Sequence, residues 1–172
     1  MGMDVYGKNP TSDKGQYFRN NVWWWHPLWE YCQELHGSIC GQVQDGHSNA
    51  GDGLDADDAK ALGEALLHDI ATGVTAEYEQ DYNARIASLP MGECSLCDST
   101  GIRTDEIGIQ HGMPTRELSE SDAILLGRTH GFCNGCAGFG KTAPWAASYP
   151  FRVANVQEFA DFLVDSGGFS IW

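Results

Sequence analysis

No stretch of the 172 residues approaches the roughly 18 consecutive apolar residues of a bilayer span. The opening Met1-Gly2-Met3-Asp4-Val5-Tyr6 lacks the basic end and apolar run of an export signal, so a cytoplasmic location and no membrane partner are expected. Basic side chains are scarce, 10 Lys and Arg against 24 Asp and Glu, and the net charge is -14. Such a chain repels phosphate backbones, which disfavours direct nucleic-acid binding and favours a basic protein partner. The HExxH helix of zinc proteases, the H-x-E of nucleobase deaminases and the GxSxG elbow of serine hydrolases are all missing. No internal repeat at solenoid period and no low-complexity tract occurs.

Apolar residues are plentiful at 42%, with six Trp, six Tyr and seven Phe. A chain of this length buries roughly 70% of its unfolded surface, so one compact domain overall is expected. A short strand is expected at 4–6. Four Trp fall within residues 23–29, and Leu28, Tyr31, Cys32 and Leu35 at helical spacing predict a helix over 27–36 opened by Pro27. After a loop rich in Gly, Asn and Asp, Asp55 is placed to cap a helix whose apolar face is Ala59, Leu62, Leu66 and Ile70 and which Gly73 ends. Thr75 is placed to cap a second helix carrying Tyr78, Tyr82, Ile86 and Leu89, the two forming a helical hairpin. A short helix is expected around 121–126, another from an Asn155 cap with Val156, Phe159, Phe162 and Leu163, and an edge strand at 169–172. The fold class is therefore α+β, divided into a Trp-rich acidic helical part (1–90), a cysteine module (91–142) and a C-terminal helix and strand (143–172) packing on the first part.

Six Cys without an export signal argue for metal or buried thiols rather than disulfides. Cys94-Ser-Leu-Cys97 and Cys133-Asn-Gly-Cys136 are two CxxC turns, each directing two thiolates at one cation, and together they make a four-Cys Zn2+ site. The 35 residues between them exceed a compact ribbon, so that segment must fold as an insertion. His130, three residues before Cys133, and His111 are further nitrogen donors in the module. A second, weaker constellation, Cys32, His36, Cys40 and His47, gathers borderline ligands within sixteen residues, although Cys32 also fits the apolar stripe of its helix.

The knuckles continue as Cys97-Asp-Ser-Thr-Gly101 and Cys136-Ala-Gly138-Phe-Gly140, which resembles the CxxCxGxG unit in the zinc region of DnaJ-type co-chaperones. The resemblance implies glycines that let the chain turn tightly behind the thiolates, and zinc centres built from pairs of repeats. Here there are two repeats instead of four, and Ser99 stands where the repeat has Gly. The J-domain's His-Pro-Asp is absent, Leu28 following His26-Pro27, so the zinc geometry is implied and the chaperone activity is not. More of the chain, Asp4-Val-Tyr-Gly, the Trp-rich stretch 17–29, Gly53-Leu-Asp-Ala-Asp-Asp and Phe162-Leu-Val-Asp-Ser-Gly-Gly-Phe, is similar to small uncharacterised proteins of bacteria and their phages. That similarity implies a source and no activity.

Two patterns mislead. Gly135 to Thr142 spells GxxxxGK[ST], but the sequence offers no buried strand before it and no helix after it to face a phosphate. Asp45, Asn49, Asp52, Asp55, Asp57 and Asp58 crowd oxygen ligands, yet counting Asp45 as first puts Ala56 where a calcium loop needs Glu, so helix capping accounts for them better.

Between Asp45 and Asp81 ten acids face Lys60 alone. This surface, through Asp55, Asp57, Asp58 and Glu64, is a candidate docking face for a basic protein, as a mimic of nucleic-acid phosphates would be. Trp23, Trp24 and Trp25 cannot all point inward from one helix or strand face, which makes them candidate partner contacts as well. The expected function is that of a small acidic zinc protein acting by protein binding, of the kind a phage inhibitor of a basic host factor would have. The alternative is a hydrolase-like metal enzyme with an open zinc position.

Overall fold

A computed structural model describes residues 2–172. In chain order the elements are β1 (Gly2–Gly7), β2 (Tyr17–Asn21), α1 (Val22–Leu35), α2 (Gly37–Cys40), α3 (Ala56–Thr72), α4 (Val74–Ser88), β3 (Gly92–Glu93), α5 (Glu106–Gln110), α6 (Glu120–Leu126), β4 (Lys141–Thr142), α7 (Val153–Ser166) and β5 (Phe169–Ile171). They form the expected α+β mixture, in two compact units: residues 1–87 with 148–172, and residues 88–147.

The first unit is built on a three-stranded antiparallel sheet ordered β2-β1-β5. In β1 the alternation sends Met3 and Val5 inward while Tyr6 stays in solvent, and Val5 lies opposite Phe18 on one side and Ile171 on the other. β5 is the expected edge strand. Its open side is taken up by the loop before α3, because Ile171 N–H donates to Asp52 O (2.8 Å) and Phe169 N–H to Leu54 O (3.0 Å). β2 carries no apolar alternation in sequence, since its inward residues are Phe18 and the polar Asn20, whose amide is satisfied by Asn155 Oδ1 at 2.7 Å.

α1 begins five residues earlier than the Pro27 start predicted above. The Asn21 carboxamide accepts the N–H groups of Trp23 (3.0 Å) and Trp24 (3.1 Å), so the helix opens at Val22 and Pro27 falls inside it. Helical spacing then turns Trp25 fully inward, where it stacks on Trp29 at a 5.7 Å centroid distance, and leaves Trp23 and Trp24 half-buried. Gly46 sits flat against this stack: its carbonyl accepts from Trp25 Nε1 at 2.7 Å, and a Cβ there would lie 2.1 Å from Trp29 Nε1.

Asp55 caps α3 as expected, accepting from Asp58 N–H at 3.0 Å, and Gly73 ends it in the left-handed region. Two other expected caps are corrected. Thr75 is buried inside the first turn of α4 with its hydroxyl 2.9 Å from Tyr31 Oη. Asn155 is taken up by β2, and the N-terminus of α7 is instead met by Glu79 of α4, which accepts from Val153 N–H and Arg152 Nη1, each at 2.8 Å. A carboxylate at that end of a helix satisfies an orphan donor and the helix dipole together.

α3 and α4 follow one another through Gly73, but α3 packs chiefly on α7. The contact is close because Gly63 faces Ala160, Leu163 and Val164, where a Cβ would meet heavy atoms at 2.9 to 3.1 Å. The core between them and the sheet is aromatic, with Phe159 and Phe162 in ring contact with each other and with both Phe18 and Phe169, and with Tyr78 and Tyr82 of α4 clustered on Phe151, which also meets Tyr31. Gly63→Leu is expected to destabilise the unit by about 2 kcal/mol through overpacking. Leu at the exposed neighbour Glu64 should change the denaturant midpoint by less than the equivalent of about 0.5 kcal/mol.

Candidate metal centre

Two chain reversals meet in residues 88–147. Cys94 and Cys97 follow β3, Cys133 and Cys136 precede β4, and the two strands pair antiparallel with Gly92 opposite Thr142 and Glu93 opposite Lys141. The ladder is carried on by Cys94 N–H donating to Gly140 O at 3.0 Å. It brings all four Sγ atoms within 4.8 Å of one another, with Cys94 to Cys133 at 3.9 Å and Cys97 to Cys136 at 3.7 Å. Four sulfurs placed about 2.3 Å from a central ion stand about 3.8 Å apart at the corners of a tetrahedron, so the cage has the size of a metal site.

The knuckles repeat each other residue for residue. Asp98 and Ala137 have φ of 45° and 49°, Ser99 and Gly138 have 63° and 85°, and Gly101 and Gly140 both have 75°. In each, the glycine N–H points at the second thiolate, Gly101 to Cys97 Sγ at 3.3 Å and Gly140 to Cys136 Sγ at 3.1 Å. The glycines also interlock: a Cβ on Gly101 would lie 2.2 Å from Gly138 O, and one on Gly140 would lie 2.1 Å from Ser99 O. This tight turning behind the sulfurs is compatible with the CxxCxGxG resemblance. Ser99 adopts the same left-handed conformation with a side chain attached, at a cost that Gly138 avoids.

Two arginines that sequence reasoning passed over hold the turns. Arg128 Nη2 donates to Gly101 O (2.9 Å) and Gly138 O (2.6 Å), tying one knuckle to the other. Arg103, buried and paired with Asp105 at 2.8 Å, donates to Asn134 Oδ1 inside the second CxxC turn at 3.1 Å. Their signal was present but faint: they are two of only four Lys and Arg in residues 88–147. Apart from glycines and Arg103, the cysteines are the only buried residues described in this unit. Burial raises the thiols of Cys94 and Cys136, the latter to about 12. At Cys97 burial is outweighed by the Gly101 N–H and the neighbouring thiols, and the thiol is held lower than usual.

The remaining candidates lie elsewhere. His130 sits beside Thr129, Nδ1 3.0 Å from its hydroxyl, and is not in the sulfur set. The constellation of Cys32, His36, Cys40 and His47 does not gather: Cys32 and Cys40 are core residues of the first unit, His36 Nε2 is 2.8 Å from Asp69 Oδ2, and His47 packs on the His26 ring at 4.5 Å. Among the described residues the four cysteines form the one cluster of such ligands. Trp25 is buried and so is corrected as a partner contact, while Asp55, Asp57 and Glu64 are exposed and Asp58 is partly covered. The GxxxxGK[ST] stretch holds Cys136 and β4 and is followed by a single 3-10 turn, Trp145–Ser148, with no helix to meet a phosphate. Among the described residues no helix is long and apolar enough to cross a membrane.

Ser99→Gly is expected to stabilise the metal-bound unit by about 1 kcal/mol by removing the left-handed strain, whereas Gly140→Ala should prevent the knuckles from closing and lower metal affinity at least tenfold in a chelator competition. Metal binding must displace protons from the raised thiols of Cys94 and Cys136. Affinity should therefore climb with pH through the neutral range and fall on acidification, measured by the same competition at a series of pH values. No protein-family model matches the sequence, and no curated protein or solved structure matches it either.

Proposed function

We propose that the chain is a protein-binding module braced by a structural Zn2+ ion and directed at a basic partner. The observation that carries this reading is the contrast inside residues 88–147: the cysteines are buried while Ile107, Ile109, Ile124, Leu125 and Phe139 are 53 to 78% exposed. A unit that stabilised itself by hydrophobic burial would have used those side chains. A metal cage makes that unnecessary and leaves them on the surface. An all-sulfur ligand set has the composition of closed structural zinc sites rather than of catalytic ones, which keep a position for water.

The net charge of -14 supplies the other half of the reading. Asp55, Asp57 and Glu64 line the exposed side of α3, and such a surface accelerates encounter with a cationic protein. An inhibitor that occupies the basic groove of a nucleic-acid-binding factor is the narrower form of the same idea, and it rests on the acidity alone.

X-ray absorption on the metal-loaded chain is expected to show four sulfur ligands at about 2.3 Å. A nitrogen or oxygen ligand would overturn the scaffold role and reopen the hydrolase-like alternative. Affinity for polylysine should fall at least tenfold between about 50 and 500 mM salt, and binding indifferent to salt would remove the electrostatic part. Replacing Cys97 or Cys136 by Ser should release the ion and lower stability by several kcal/mol. Unchanged metal content and melting temperature in both variants would refute the bracing role.

A further inference from the structure

Within residues 88–147 a cleft of about 280 Å³ opens between α6 and the second knuckle. Its apolar lining is Leu118, Leu125, Leu126, Phe132 and Phe139, and charged and polar side chains line the rest. α6 is a helix whose every side chain is at least partly in solvent, with Ile124 at 78% and Leu125 at 66% exposure. Capping by Ser119, which accepts from Asp122 N–H at 3.1 Å, is enough to start this turn of helix. Capping does not account for three consecutive aliphatic residues at its end.

The charge around the cleft restricts what can cover it. Glu117 and Asp122 also line it, and Arg116 is laid over the Phe132 ring at 4.6 Å, so an aromatic side chain of the cleft already accepts a guanidinium. Residues 88–147 carry seven acids against four bases. Two of those bases, Arg103 and Arg128, are engaged with Asp105 and with backbone carbonyls. Four thiolates around a divalent ion add two further negative charges next to Ala137 and Phe139. A second copy of the chain would bring -14 against -14, which selects against self-association through this face.

We infer that this cleft docks a short amphipathic segment of a basic protein. Aliphatic side chains of the segment enter between Leu125, Phe132 and Phe139, and its Lys or Arg residues meet Glu117 and Asp122. The inference rests on the protein-binding reading above and gives it a place and a partner chemistry.

The test titrates the metal-loaded full chain with a capped helical peptide of Leu and Lys whose leucines form one stripe. A scrambled peptide of equal charge is the control. Amide shifts should concentrate in α6 and at residues 137–139, and the scrambled peptide should bind at least tenfold more weakly. Leu125→Asp separates the cleft from bulk charge by sign. It adds a negative charge, so attraction by net charge alone would strengthen, whereas loss of the apolar wall should weaken binding about tenfold. Leu125 is largely exposed, so the variant is expected to fold, with unchanged metal content confirming it. Binding that is unchanged or tightened in Leu125→Asp, or shifts that map to α3, would overturn the cleft and leave the basic-partner reading standing. Equal binding of the scrambled peptide would do the same. Dimerisation in sedimentation that Leu125→Asp abolishes would assign the cleft to a second copy and overturn the inference. Failure of the metal-loaded chain to bind either peptide or polylysine would remove both readings.

Discussion

Four sulfur atoms converging on one point are the condition on which residues 88–147 depend. The contacts that tie the two knuckles together go with their meeting: the short β3-β4 ladder, the interlocked glycines, and the arginines that bridge or brace the turns. None of these is large. Two-residue strands and a few hydrogen bonds contribute only about 1 kcal/mol each, too little to order sixty residues against their conformational entropy. Without a cation the cage is a set of buried thiols pressed together, one held acidic and two raised. A bound metal ion would turn that unfavourable assembly into the organising centre and would free the unit's larger apolar side chains for use outside it.

The first unit solves the same problem by the opposite route. Its interior is filled with aromatic rings, and glycine appears where a ring or a helix must come close: Gly46 under the Trp25-Trp29 stack and Gly63 under α7. One unit is therefore limited by shape, where an added methyl group is intolerable, and the other by ligand geometry.

What could be read in advance follows this division. The CxxC spacing, the Asp55 cap, the Gly73 stop and the short strands expected at 4–6 and 169–172 are local signals, and each has its counterpart in the structure. Features that depend on residues distant in sequence were not legible. Pro27 looked like a helix start because nothing nearby shows that the Asn21 side chain would capture two amides first. Asn155 looked like a cap until β2 supplied Asn20 as its partner, and the true companion of that helix end, Glu79, lies 74 residues away. The weak His and Cys constellation failed for a related reason, since Asp69 and His26 claim its imidazoles from other elements. Ser99 departs from the glycine pattern in sequence, but only the φ of 63° shows that it keeps the glycine conformation.

The pairing of β5 with β1 and of α7 with α3 has a temporal side. Residues 148–172 complete the sheet and close the aromatic interior, and they leave the ribosome after residues 88–147. At roughly 5–20 residues per second, synthesis exposes the thiols to the cellular ion pool seconds before the earlier half can finish its own fold. Metal capture would thus be open to the nascent polypeptide before the first unit can close, and the supply of ions during translation would set how often that step precedes closure.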